Sequence, residues 1–222
     1  MGKIKLIFEH IISIPKTLWV NFTSLPFKQA VKLPIYVHYN VIFKNKGKIE
    51  LLSADVSRYS VIFGKQGSFH ISPKKSIVVI NKGGKLILGS NILFSSGINL
   101  IVESNAKMTI GDNTSFNRNV SIFSKYLVEI GLDCLFGWGV SIRDNDGHFI
   151  DYPGKKTKNN NFVRIGDHCW IAAECLLMKG TFLAQNSVVG TWSLVNKAFY
   201  DENILVVGSP AKMIKSNITW KE

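Results

Sequence analysis

The segment Asp144-Asn145-Asp146-Gly147-His148 gathers two carboxylates and an imidazole within five residues. An imidazole titrates near neutral pH, so it can take a proton from a weakly acidic hydroxyl and return it to a leaving group. In an extended segment residues 144, 146 and 148 project to one side. That makes Asp146 the first candidate to hold the second imidazole proton, and Asp144 the next. Asp-Asn-Asp-Gly is equally a common composition for a solvated turn, and the residues alone leave both readings open. The other histidines offer less: His168 falls in a slot that elsewhere holds Asn91, Asn113 and Asn186, which marks a structural corner. His10, His38 and His70 have no acid or cysteine at ligand spacing, so a three-histidine zinc centre is not expected.

The elements around this cluster follow a six-residue beat. Apolar residues fall at Ile110, Phe116 and Ile122, then at Ile130, Phe136 and Ile142, and resume at Ile165, Ile171, Leu177, Leu183, Val189 and Val195. The beat is broken once, between Ile142 and Ile165, at the Asp-Gly-His segment. Longer units open with Leu88-Gly89-Ser90-Asn91, Ile110-Gly111-Asp112-Asn113, Ile130-Gly131-Leu132-Asp133, Ile165-Gly166-Asp167-His168 and Leu183-Ala184-Gln185-Asn186. A unit of three hexapeptides is one turn of a three-sided coil, in which each apolar residue points inward and stacks on its equivalents above and below. Gly with Asn or Asp supplies the left-handed backbone that tight corners require. No 3.6-residue period runs from residue 88 onward, which excludes helical repeats. The expected organisation is a helical and extended cap over residues 1–45, a solenoid over 46–207 with its loop at 143–163, and a tail over 208–222.

Composition narrows the partners. Hydrophobic residues make up 46% and charged residues 19% of the 222, the balance of a folded globular chain. The net charge is +12, and residues 1–50 carry eight lysines against Glu9 and Glu50. Such a balance favours anionic partners, yet no basic run with interleaved aromatics points to nucleic acid. No stretch approaches the ~18 apolar residues needed to cross a bilayer, and Ile4–Ile14 lacks a small-residue cleavage site behind it. A cytoplasmic protein is expected. Its N-terminal segment is read as an amphipathic helix packed on the rest of the chain, or as a peripheral contact with the anionic inner membrane. Cys134, Cys169 and Cys175 each lie four residues after a beat residue, the place of a compact inward side chain, so buried reduced thiols and no metal site are expected.

Several segments together resemble the hexapeptide-repeat acyltransferases: the repeat itself, Asp144–His148, Ile165-Gly166-Asp167-His168-Cys169-Trp170-Ile171, and Gly208-Ser209-Pro210-Ala211-Lys212. The likeness covers essentially the whole chain and is greatest with the O-acetyltransferases of surface-polysaccharide synthesis, where segments like Leu25-Pro26-Phe27-Lys28 and Ile218-Thr219-Trp220 are usual. It implies an all-β, left-handed parallel β-helix working as a homotrimer with clefts between subunits. It implies His148 as the base that activates a sugar or glycan hydroxyl toward acetyl-CoA, with no metal. By the same resemblance the cofactor arm meets Trp170, Ala172, Ala173, Gly190, Thr191, Trp192 and Lys197, and its nucleotide end meets Pro210 and Lys212. Two positions depart from the pattern. Ala172 and Trp192 stand where the family commonly has Gly, and an indole at 192 either stacks on the cofactor or narrows its tunnel. An N-acyltransferase of amino-sugar nucleotides and a non-catalytic binding solenoid are the competing readings.

Overall fold

Each inward residue of the beat lies on a short strand that pairs in parallel with its counterpart one coil away. The structure, a computed structural model, describes residues 3–65, 68, 71–149, 153 and 157–221. His70, Gly67 and loop residues 150–152 and 154–156 lie outside the described residues. Among the described residues the strands form three sheets, of nine (sheet A), seven (B) and seven (C) strands, visited in the order A, B, C by every coil. The register Leu88, Ile110, Ile130, Ile165, Leu183 runs unbroken along sheet C. The uneven spacing of the longer units is therefore a difference in corner length between coils of equal register.

Stacking decides which residue sits inside. Phe63, Phe94, Phe116 and Phe136 form a ladder along sheet A with ring centroids 4.5, 4.9 and 4.6 Å apart. Offset stacked pairs of this kind contribute roughly 0.5–1.5 kcal/mol each beyond their burial. One corner column repeats a left-handed residue on every coil: Asn91, Asn113, Asp133, His168, Asn186 and Asn203 have φ between 51° and 58°. His168 is thus a corner residue, and its ring is covered by Trp220 of the tail at 4.2 Å. The three cysteines are free and buried, and burial pushes the Cys175 thiol up.

The first coil begins earlier than residue 46. Strand β1 (Ile35–Val37) already pairs with Val61–Phe63, and β2 (Ile42–Asn45) pairs with Ile77–Ile80, followed by β3 (Lys48–Leu51). Pro34 stands just before β1, where a residue without an N–H costs the ladder nothing. The far end of sheet A is a hairpin, in which Leu205–Gly208 turns back antiparallel onto Ala211–Lys215.

Helix α1 (Lys3–Ser24) closes the open edge of sheet A in an unusual way. Ser13, Thr17 and Asn21, spaced four residues apart, meet Tyr39, Val37 and Ile35, spaced two apart. Ser13 Oγ accepts from Tyr39 N at 2.9 Å, Thr17 Oγ1 from Val37 N at 3.1 Å, and Asn21 Oδ1 from Ile35 N at 3.1 Å. Asn21 Nδ2 also donates to Ile35 O at 2.6 Å. Four helical residues rise ~6 Å and two strand residues ~6.7 Å, so the two ladders stay in step. The polar face of α1 consequently lies buried against β1, and its apolar face points outward.

Candidate active site

The interrupting loop leaves the corner between sheets B and C, after the strand Ser141–Arg143. Its base is braced on both sides. Asp146 N donates to Asn159 O at 2.8 Å, Asn161 N to Asp144 O at 2.9 Å, and Asn145 bridges Asn160 in antiparallel fashion. Asn145 Oδ1 accepts from Gly147 N at 3.0 Å and so shapes the turn immediately before His148. His148 is exposed at the tip of this braced base.

The two aspartates lie in different surroundings and not side by side as an extended segment would place them. The strand ends at Arg143, so the two-residue alternation does not carry through to 148. Asp144 is fully buried and directed inward. Its carboxylate accepts from Ser124 Oγ at 3.0 Å, Lys125 N at 2.8 Å, Tyr126 N at 2.7 Å and Asn145 Nδ2 at 3.1 Å. The hydrogen bonds of this carboxylate thus run to residues 124–126 and to the neighbouring Asn145. Asp146 is partly exposed and pairs with Lys179 Nζ at 2.6 Å. Lys179, a residue with no motif around it, also donates to Lys158 O at 2.6 Å and so ties both arms of the loop to the next coil.

A second feature lies on the outer face of sheet A. A groove of about 700 Å³ runs across successive coils there. One wall is the outward row Leu135, Trp170, Val188 and Leu205, paired rung by rung. Its floor is the row Gly137, Ala172, Gly190 and Val207, with Trp138, Ala173 and Thr191 at the corner. Three of the four floor positions are small, and the coils touch at the two glycines: a Cβ on Gly190 would come within 2.8 Å of Val207 Cγ2, and one on Gly137 within 2.6 Å of Ala173 N. The result is a narrow apolar channel flanked by two indoles and roofless on the solvent side. Five of the positions expected at the cofactor arm (Trp170, Ala172, Ala173, Gly190 and Thr191) line it.

The others do not. Lys197 sits at the corner between sheets B and C, its Nζ over the Phe199 ring at 5.2 Å. Trp192 follows Thr191 at the groove corner but is 73% exposed, in a column of left-handed residues with Asn119, Gly139 and Glu174. Its φ of 59° explains why Gly suits this place, and a tryptophan holds it at a cost of about 1–2 kcal/mol. Pro210 and Lys212 lie exposed on the terminal hairpin, with Lys212 opposite the groove residue Val207. Sequence reasoning missed Leu135, Gly137, Trp138, Val188, Leu205 and Val207. The signal for most was present, since residues on either side of an inward beat residue must face outward. The tail position Trp220 was legible as a motif only. Here its Nε1 donates to His168 O at 2.9 Å, and its ring lies 6.1 Å from that of Trp170.

No family model matches the chain. It is 32% identical over 148 residues to a protein of Escherichia coli named as the lipopolysaccharide biosynthesis O-acetyl transferase WbbJ, covering 61% of this chain and 74% of that one. It is 30% identical over 167 residues to the polysialic acid O-acetyltransferase of Neisseria meningitidis, covering 72% of this chain and 77% of that one. A solved structure of the polysialic-acid-specific acetyltransferase NeuO superposes with a TM-score of 0.58 at 21% identity, over 85% of this chain and 89% of that one. The last likeness shows a shared fold.

Proposed function

Because the chain belongs to the hexapeptide-repeat O-acetyltransferases, left-handed parallel β-helices, we propose that it moves an acetyl group from acetyl-CoA to a sugar hydroxyl of capsule, exopolysaccharide or lipopolysaccharide. The observation that carries the reading is the groove on sheet A, an apolar slot whose floor is reduced to Gly137, Ala172 and Gly190 between Trp138 and Trp170. That shape fits a thin, flexible pantetheine arm, which needs width for one chain and amide partners along it. The donor is written as substrate. His148 takes the proton from the acceptor hydroxyl as it attacks the thioester carbonyl, and returns it to the departing thiolate. Trp170 and the groove floor hold the arm, and Asp144 keeps the His148 loop at a fixed height on the coil.

Within one chain, sheet B stands between the groove and the corner that carries His148. This separation supports a cleft assembled by two copies, in which a homotrimer brings the His148 loop of one subunit to the groove of the next. The protein works in the cytoplasm, with a peripheral contact at the inner face of the membrane.

The reading is tested by following thiol release from acetyl-CoA with a panel of sugar and amino-sugar acceptors. Transfer to a hydroxyl is expected, and transfer confined to amino groups would redirect the assignment to N-acylation. Ala172→Trp fills the floor of the slot and is expected to raise KM for acetyl-CoA about tenfold or more, equal to ~1.4 kcal/mol, with the fold intact by circular dichroism. An unchanged KM would remove the donor from this groove. Two impaired chains, Ala172→Trp with its weakened donor binding and His148→Ala with its lowered kcat, are expected to show a higher kcat/KM when co-expressed than either does alone, because some mixed interfaces then pair an intact groove with an intact loop. No such gain would place both parts of the site within one chain.

A further inference from the structure

The inverted helix at the start of the chain exposes an apolar stripe that the enzymatic reading does not use. Ile4, Ile7, Phe8, Ile11, Leu18, Trp19 and Phe22 recur at three- and four-residue intervals on the solvent side of α1. Ile4, Ile7, Phe8, Ile11 and Trp19 each expose half or more of their surface. The helix α2 (Phe27–Ala30) and the residue after it extend the patch, with Phe27 6.2 Å from Phe22 and Val31 also exposed. A stripe of this kind usually faces a core. Here the core-facing side is taken by Ser13, Thr17 and Asn21, which satisfy the edge of β1, so the apolar side has no place to turn within the chain.

The charge around the stripe selects its partner. Residues 1–50 hold eight lysines and two glutamates, and both glutamates are already engaged. Glu9 lies 4.0 Å from Lys5 and 3.8 Å from His38, and Glu50 lies 2.6 Å from Lys48 and 3.1 Å from Lys85. No acid lies on the stripe itself. A second copy docking through the same face would bring two basic surfaces together, whereas a layer of anionic headgroups above hydrocarbon meets both the lysines and the apolar residues. The stripe also combines a tryptophan and phenylalanines with aliphatic residues, and the exposed Lys5 on α1 and Lys28 on α2 stand on the same two helices, the make-up of a segment lying in the headgroup plane. No helix of the described residues is long and apolar enough to cross a membrane, so the geometry is one of lying on the bilayer. We propose that the outward stripe of α1, with Phe27 and Val31, is a docking face for an anionic lipid bilayer. This deepens the peripheral contact proposed above and rests on it.

The test is co-sedimentation of the full-length protein with vesicles of phosphatidylcholine alone, or with about one third phosphatidylglycerol. Binding to the anionic vesicles, weakening as salt is raised, is expected. Ile7→Gln combined with Ile11→Gln changes only exposed positions and is expected to lower the vesicle partition coefficient about tenfold or more. Acetyl transfer to a soluble acceptor, melting temperature and solution mass should remain those of the parent protein. Phe8→Ser with Trp19→Ser, a separate pair on the same stripe, should reproduce the loss and guards against a folding defect in the first. A parent protein that ignores anionic vesicles, or glutamine variants that bind them equally, would overturn the proposal. So would variants that change the solution mass while still binding vesicles, which would assign the face to a second copy. Acetyl transfer is read in the same preparations, so failure of the enzymatic reading and failure of docking give different results.

Discussion

Replacing His148 by Ala is expected to lower kcat by about 10³-fold while KM for acetyl-CoA stays within about twofold. The imidazole is the group on the loop that can both accept and return a proton, and general-base contributions of ~10²–10⁴ are usual for such a group. His148 is exposed and stands outside the packed coil, so its removal should leave the melting temperature unchanged. The donor groove lies on another face of the coil, and truncating His148 does not alter it. Steady-state kinetics with saturating acetyl-CoA and acceptor, beside a thermal melt, measure all three. Turnover that survives the substitution would transfer the role of base to another group.

Asp144→Ala should act almost in reverse, through stability first. The side chain is fully buried and accepts from Ser124 Oγ, Lys125 N, Tyr126 N and Asn145 Nδ2. Truncation strands these donors away from water, at about 1–3 kcal/mol for each one that cannot turn to a new partner. A loss of about 3–4 kcal/mol is expected once the hydroxyl and the amide side chain reorient, read from urea melts. For a chain of this size that is a fall of roughly 10 °C in melting temperature. Activity should fall with it, because the base of the loop loses its anchor. Asp144→Asn keeps one acceptor oxygen and should lie between the two. An Ala variant as stable as the parent would show that the carboxylate is not the anchor.

Much of this architecture was legible because it repeats. Ile110, Phe116 and Ile122 and their successors sit inside since each must stack on a residue of like shape one coil away, and that demand writes a period into the chain. Asn91, Asn113 and Asn186 mark corners for an equally local reason, their left-handed backbone. His148 could be picked out because it interrupts the period. What could not be read depends on partners distant in sequence. Asp144 looked like a companion of His148, but its donors lie at 124–126, in the corner one coil below. Ser13, Thr17 and Asn21 form an unremarkable polar row until β1 is laid against them. With that partner unknown, the sequence leaves open whether the apolar side of α1 packs on the chain or meets a membrane. The same partner explains why the solenoid starts at Ile35: β1 needs no earlier strand, because a helix stands in its place.

That substitution of a helix for a strand also bears on solubility. A parallel solenoid offers a ready template for end-to-end stacking, and an unfilled rung invites the next molecule to add to it. In sheet A, side chains of α1 occupy hydrogen-bonding groups of β1, and at the other end the antiparallel return of Ala211–Lys215 reverses the chain direction, which disfavours a parallel continuation. Sheets B and C begin with β2 and β3, which carry the exposed lysines Lys44 and Lys48, and finish in the two-residue strands Leu194–Val195 and Ala198–Phe199. Charge and brevity both discourage addition. Along sheet A, addition of another molecule in parallel is opposed by hydrogen bonds already made within the chain.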